Sequence, residues 1–470
     1  MSCKYPYFIL LLFIVFSCQN PSENQIAENI EALTQAPEMD SSLTRVYVES
    51  EFKPIWVKAQ GLNKKAEDFL AALDGLVYDG LDKSDYLTEE QSRLLENILD
   101  SEDPAEHAAL DLAFSKSFLA MASDLNIGKI NPETTGIEWK MDQKSPTADY
   151  GEMLLSIADG NSVEDVFDQL RPQNVRYREL REFLVSMLDP TAEEAQGANS
   201  LEEKINRSDL IAKIKVNLER LRWLPDFTEP ETDKIIVNIP DFHLFYVEGE
   251  DTVFTSKVVV GNEYRQTPVF KAEMGYLVFN PTWTLPETIL WEDVIPSIQD
   301  DVDYLEKNDM KVLDYQEKEV DYREIDWDEL ETDKGFPYLI RQSPGTANPL
   351  GSVKFMFPNE YSIYIHDTPA KGLFSREERT FSSGCIRMEN AVQFAELLLE
   401  ESDDWDTDKI NESMGDQEET RVDLDEDLDV WILYLTVWGG GEDIQIREDV
   451  YDMDRKIAQA LNLSLSEDFF

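Results

Sequence analysis

The chain has 470 residues, with 97 acidic side chains against 42 basic and a formal net charge of −55. That length suits two or three domains, each with its own core. The charge would repel phosphates, which excludes nucleic acid as a partner, and suits a solvated acidic surface in a salty medium that screens self-repulsion within about 10 Å.

Residues 1–17 read as an export signal. Lys4 precedes an apolar run from Tyr7 to Phe16, about half the ~20 apolar residues that a membrane-spanning helix needs. Ser17-Cys18 resembles the cleavage site of bacterial lipoproteins, although Phe16 stands where a small residue is usual. The resemblance implies lipidation of Cys18, loss of Cys3 with the signal and anchoring to a membrane. Cys385 is then the only thiol left for chemistry, and no disulfide can form within the mature chain. Residues 18–45 are polar and acidic and predict a flexible tether.

From 46 to 190 apolar residues recur at three- and four-residue intervals, as in Lys65–Leu76, Ala105–Leu125 and Tyr177–Leu188, predicting a helical domain. His107, at a polar helix start, is expected on its surface. The Ala/Glu/Gly/Ser-rich stretch Pro190–Ser200 predicts a linker, and residues 191–230 a linker with a connecting helix. Beyond Lys234 the pattern turns to short β-branched and aromatic runs, among them Lys234–Ile239, His243–Val247, Val253–Val260, Tyr361–His366 and Val430–Trp438. The whole is therefore α+β and multi-domain, with a mostly β domain over 231–452 and a tail at 453–470. An excursion at 295–335 is acidic, with 14 acids and 5 bases between Asp301 and Lys334. It predicts a lid or disordered loop.

Strand alternation over Tyr361–His366 puts Tyr364 and His366 on one face. Nineteen residues after His366 comes Cys385, within Ser382-Ser383-Gly384-Cys385-Ile386-Arg387. A thiol becomes a nucleophile as thiolate, and an imidazole can take its proton. Gly384 permits the tight turn in which backbone N–H groups could meet an oxyanion. Spacing alone leaves open a structural cysteine and a core histidine. Local charge favours the site: Phe336–Asn390 carries 6 bases and 5 acids, whereas Glu401–Asp429 carries 2 bases and 14 acids. Such a basic island fits a carboxylate-bearing ligand, with Arg387 and Arg379 as candidate contacts. The three scattered histidines form no ligand cluster, so neither metal nor cofactor is expected.

His366-Asp-Thr-Pro, Ser382-Ser-Gly-Cys-Ile-Arg387, Arg341-Gln-Ser-Pro-Gly, Arg265-Gln-Thr-Pro268, Phe279-Asn-Pro-Thr-Trp283 and Tyr434-Leu-Thr-Val-Trp438 together resemble the L,D-transpeptidases, in their large multi-domain Gram-negative branch. The resemblance implies an acyltransferase that cleaves the diaminopimelate–D-Ala bond of a peptidoglycan tetrapeptide stem and passes the acyl group to a neighbouring diaminopimelate amine. The same acyl-enzyme could serve hydrolysis, D-amino acid exchange or protein attachment, and a non-catalytic wall-binding scaffold is the rival class. Carried over, Cys385 is the nucleophile and His366 its base. Tyr364 orients the histidine, the N–H groups around Ser383, Gly384 and Cys385 form the oxyanion hole, and Trp283, Arg379 and Arg387 contact substrate. Carbapenems are implied as covalent inhibitors. A periplasmic, lipid-anchored location is implied, with the outer membrane expected. The large branch commonly places a peptidoglycan-binding domain between scaffold and catalytic domain, and here only about Pro190–Leu201 stands there. Residues 295–335 occupy the place of that branch's substrate-capping subdomain.

Overall fold

The computed structural model describes residues 22–37, 39–98, 101–142, 144–189, 206–228, 232–400, 402, 404–415 and 418–466. The signal segment, Cys18 and the Pro190–Ser200 stretch lie outside them. Two compact units result, one of residues up to Gly128 with Ser145–Pro172, the other of Lys129–Lys144 with Gln173 onward. No helix among the described residues is long and apolar enough to cross a membrane.

The first unit is helical: α1 (Glu23–Thr34), α2 (Ser41–Glu49), a short β1–β2 hairpin (Val57–Lys58, Gly61–Leu62), α3 (Lys64–Gly75), α4 (Glu89–Asn97), α5 (Pro104–Ile127), α6 (Tyr150–Ala158) and α7 (Val163–Leu170). Helix α5 is central, and its Phe114 and Phe118 meet Trp56, Phe69 and Phe167 in an aromatic core. Its buried Asp111 accepts the backbone N–H groups of Ile55, Trp56 and Val57 at 3.1, 2.7 and 3.0 Å, which ties the hairpin to the helix.

The expected tether needs correction. Ser22 and Gln25 form a capping box that starts α1, and Ile26 and Ile30 are wholly buried; two apolar anchors at helical spacing suffice to dock an otherwise acidic helix. His107 is also buried, its Nδ1 3.1 Å from the Asp103 carbonyl oxygen, because it is one turn inside α5 rather than at its exposed start.

The second unit begins with a strap, Lys129–Lys144, in which Trp139 bridges to Val269 and packs edge-on against Trp223 at 5.0 Å. Helix α8 (Val175–Leu188) adds Tyr177, Leu180 and Leu184 to the same core. The helical unit therefore excludes 129–144 and everything from Gln173, against the expected 46–190. Helix α9 (Arg207–Trp223), expected as a connector, is buried on nearly every side from Asp209 onward. Its Lys213 Nζ meets Asp454 Oδ2 at 2.6 Å, and Arg220 also pairs with Asp454.

Strands β3 (Lys234–Asn238), β4 (His243–Glu248), β5 (Asp251–Gly261) and β6 (Phe270–Phe279) open the sheet. After an insert come β11 (Val353–Met356), β12 (Ile365–His366), β13 (Thr380–Ser382), β14 (Ile386–Met388) and β15 (Thr420–Leu433). Their order is β13-β5-β14-β12-β11-β6-β15-β3-β4, and a further β4–β5 pairing closes the sheet on itself. Helix α13 (Ala391–Leu398) fills the curl, its Phe394 meeting Tyr246, Phe254 and Phe355 at 5.8, 5.2 and 5.2 Å.

The insert is a folded subdomain wider than 295–335. Strands β7 (Trp283–Thr284), β8 (Met310–Leu313), β9 (Glu319–Val320) and β10 (Leu339–Gln342) pair in the order β7-β10-β8-β9, beside α10 (Glu287–Ile289), a π-helical turn Leu290–Val294, α11 (Ile295–Asp300) and α12 (Tyr304–Lys307). Leu290, Val294, Ile298, Leu305, Val312, Trp327, Phe336 and Ile340 give it a core of its own, so its acids clothe an ordinary apolar centre. Helix α14 (Thr407–Gly415) precedes β15, and the pair β16 (Val437–Trp438) and β17 (Gln445–Ile446) follows it. The expected tail carries α15 (Met453–Ala460), which buries Asp454, Ile457 and Ala458.

Candidate active site

Short parallel strands β12 and β14 set the geometry. Ile365 pairs with Ile386 and His366 with Arg387, while the Ile386 N–H donates to the Tyr364 carbonyl at 3.0 Å. Side chains alternate along both strands, so Tyr364 and His366 share a face with Cys385 and Arg387. All four line one cavity of about 300 Å³, with Trp283, Tyr361, Ser362, Asp293 and Ser383 among its other walls. The predicted strand is shorter than Tyr361–His366, because Ser362 takes a left-handed φ of 56° and turns its carbonyl toward the thiol. The Cys385 Sγ–H donates to that oxygen at 3.6 Å.

Burial pushes the Cys385 thiol up to about 11, although the Tyr364 backbone and hydroxyl groups and the Arg387 charge favour the thiolate. Burial likewise pushes His366 down to about 3, with Arg387 adding to the shift. The resting pair is therefore neutral thiol and neutral imidazole. His366 Nδ1 lies 2.5 Å from the Asp367 carbonyl oxygen, which has no proton to give. Nδ1 must carry the hydrogen, and Nε2 keeps its lone pair as an acceptor. Tyr364 meets His366 only ring to ring, at 5.6 Å between centroids, and its polar contact is with Cys385. Orientation of the imidazole thus falls to Asp367, not Tyr364.

Asp367 also fixes one wall. Its Oδ2 accepts the Ser352 N–H at 2.8 Å and its Oδ1 the Lys371 ammonium at 2.6 Å. A Cβ on Gly351, whose φ is 63°, would lie 2.3 Å from Oδ2, so the turn beside the cavity requires glycine.

The motif loop is held from inside and below. Ser382 Oγ donates to the Cys385 carbonyl at 2.5 Å and accepts the Gly384 N–H at 3.1 Å, and Thr267 Oγ1 donates to the Gly384 carbonyl at 2.6 Å. Gly384 has φ 110°, as the tight turn demands. Its N–H is occupied by Ser382, so it cannot join an oxyanion hole as expected. The N–H groups of Ser383 and Cys385 have no acceptor among the described residues.

Arg387 and Arg379 part company. Arg387 Nε is buried without a hydrogen-bond partner, and no carboxylate of the described residues pairs with its guanidinium. Arg379 is buried away from the cavity and donates to the carbonyls of Val258, Arg376 and Phe242 at 3.1, 2.7 and 3.1 Å. A fork with every arm on backbone staples loops, which removes Arg379 from the substrate contacts. Trp283, on β7, lines the cavity and donates a hydrogen bond to Tyr364. Sequence reasoning missed Ser382, Thr267 and Asp367 as supports; each is a polar residue inside one of the quoted motifs, the one signal available. Among the described residues no group of three or more His, Cys, Asp or Glu stands ready to hold a metal ion.

Comparison with protein families matches residues 41–184 to a scaffold domain and residues 232–419 to an L,D-transpeptidase catalytic domain. A Haemophilus influenzae protein named "Putative L,D-transpeptidase" is 30% identical over 422 residues, covering 88% of this chain and 78% of its own length. With the closed sheet, the shared cavity and these matches together, the chain belongs to the L,D-transpeptidase family.

Proposed function

We propose that the protein cross-links peptidoglycan between third residues through an acyl-enzyme on Cys385. The observation that carries this is the grouping of thiol, tautomer-fixed imidazole and uncompensated guanidinium on one face of β12 and β14, inside a single cavity.

His366 Nε2 takes the thiol proton as sulfur attacks the carbonyl carbon of diaminopimelate, which avoids a free thiolate whose formation burial opposes. The developing oxyanion meets the free N–H groups of Ser383 and Cys385. As the C–N bond breaks, the imidazolium returns its proton to the departing D-Ala amine. A diaminopimelate amine of a second stem then attacks the thioester, His366 accepts its proton, and the thiol leaves reprotonated. Arg387 offers charge-assisted hydrogen bonds to a stem carboxylate. Anchoring through Cys18 would keep the enzyme at the wall.

Purified protein incubated with tetrapeptide-rich sacculi should release D-Ala and form cross-linked muropeptides, and a carbapenem should add once, on Cys385, by mass spectrometry. Cys385→Ala should abolish both, and His366→Ala should slow acylation by about 10²- to 10⁴-fold. Unchanged muropeptides and no adduct with the native chain would refute the reading.

A further inference from the structure

Arg265 sits at a junction that the chemistry above does not use. Its Nη1 donates to Ser383 Oγ at 3.0 Å and to Asp293 Oδ2 at 2.7 Å, while Nε donates to Glu292 Oε2 at 3.0 Å. One guanidinium therefore joins the motif loop, two residues before the thiol, to two carboxylates of the inserted subdomain. Those carboxylates lie in the π-helical turn Leu290–Val294, a geometry frequent where helices serve function, and Asp293 lines the catalytic cavity. Arg265 belongs to the tight loop that also supplies Thr267 to the Gly384 carbonyl. A Cβ on Gly261 would lie 2.2 Å from the Arg265 carbonyl, so the loop is closely wound.

The two supports differ in kind. Thr267 is fully buried and acts through neutral hydrogen bonds. Arg265 is mostly buried, at 18% side-chain exposure, but its partners Glu292 and Asp293 are 58% and 51% exposed. The motif loop is thus fixed at Gly384 and held at Ser383 by a salt-sensitive link to the insert.

We propose that Arg265 is a positioning residue that couples the seating of the inserted subdomain to the geometry of the Ser383–Cys385 turn, making substrate capture and acylation interdependent. The inference rests on Cys385 as the acylated residue. Arginine's planar fork serves a hydroxyl and two carboxylates from separate nitrogens in fixed directions, which lysine's single ammonium does not reproduce.

The test is steady-state kinetics on tetrapeptide muropeptides, at low and high salt, for the full chain and for Arg265→Lys, Arg265→Ala, Ser383→Ala and Glu292→Gln/Asp293→Asn. The double carboxylate variant should raise KM and lose the salt dependence of the native protein, Ser383→Ala should lower kcat, and Arg265→Ala should do both, by up to about 100-fold in kcat/KM. Arg265→Lys should not rescue, and the loop and insert changes combined should be less than additive. Additive effects, or native kcat and KM in Arg265→Ala, would overturn the coupling. Should Arg265→Ala fail to fold, the cycle between Ser383→Ala and the carboxylate pair decides alone. Failure of the underlying reading appears separately, as absence of a carbapenem adduct on Cys385 in the native chain, while hydrogen exchange of the insert still reports the coupling in each variant.

Discussion

Buried charge is treated in opposite ways at two places in the catalytic unit. Around α9, Asp454 accepts Lys213 at 2.6 Å and Thr436 Oγ1 at 2.8 Å besides Arg220, and Arg220 lies 5.0 Å over the Tyr434 ring. Burial would raise the Asp454 carboxyl, but the two cations outweigh it and hold it down to about 2. In the cavity, Arg387 has no carboxylate among the described residues, and the thiol's polar contacts are a long bond to the Ser362 carbonyl and the Tyr364 groups. Compensation in the first place ties α9, the segment that follows β15 and α15 into one core. Its absence in the second leaves interaction capacity for something that enters. Perturbed groups of the first kind mark structure and those of the second mark chemistry.

The sharpest way to break the comparison is Asp454→Asn. It removes the carboxylate that pairs with two buried cations and should cost about 3–5 kcal/mol in denaturant unfolding, while protein that remains folded keeps its carbapenem reactivity. Next comes the pair of arginines. Arg379→Gln strips bonds from three backbone carbonyls and should cost about 1–3 kcal/mol of stability with KM unchanged. Arg387→Gln should leave the unfolding midpoint nearly unmoved and raise KM for the stem about tenfold or more. Equal behaviour of the two variants would erase the distinction.

The remaining effects are in pH. His366 lies near 3 in the fold against 6.5 ordinarily, so the unfolded chain takes a proton that the folded one refuses, and stability falls as pH drops from 6.5 toward 3. Cys385 has the opposite sign, because the fold keeps a proton until about 11 that the unfolded chain loses near 9.0, and stability falls as pH rises between them. Denaturant unfolding across pH should show the acid slope reduced in His366→Ala and the alkaline slope reduced in Cys385→Ser, each only in its own window. Asp454 contributes on the acid side as well, losing its stabilisation as pH falls from 3.8 toward 2.

Much of this site is legible in the chain before it folds. The alternation that places Tyr364 with His366, the glycine before Cys385 and the order of the motifs are local features, and local features survive in a sequence. What α9 and α15 do is not local. Nothing within either helix says that Lys213, Arg220 and Asp454 meet across more than two hundred residues. Ile26 and Ile30 are likewise a faint signal among the acids around them, although two buried residues decide where a helix docks.

The sequence by itself determined the family of the protein, the order of its helical and mostly β parts and the candidate residues Cys385 and His366, because these rest on residue type, spacing and short-range periodicity. Only the tertiary structure decided that Asp367 rather than Tyr364 holds the imidazole, that Ser382 occupies the Gly384 N–H, and that Arg379 staples loops while Arg387 faces the cavity. Each of those is a choice among partners for a hydrogen-bonding group. For His366 and Gly384 the partner is one or two residues away and the local backbone conformation settles the choice, whereas Arg379 finds Val258 and Phe242 only because the closed sheet brings distant segments together.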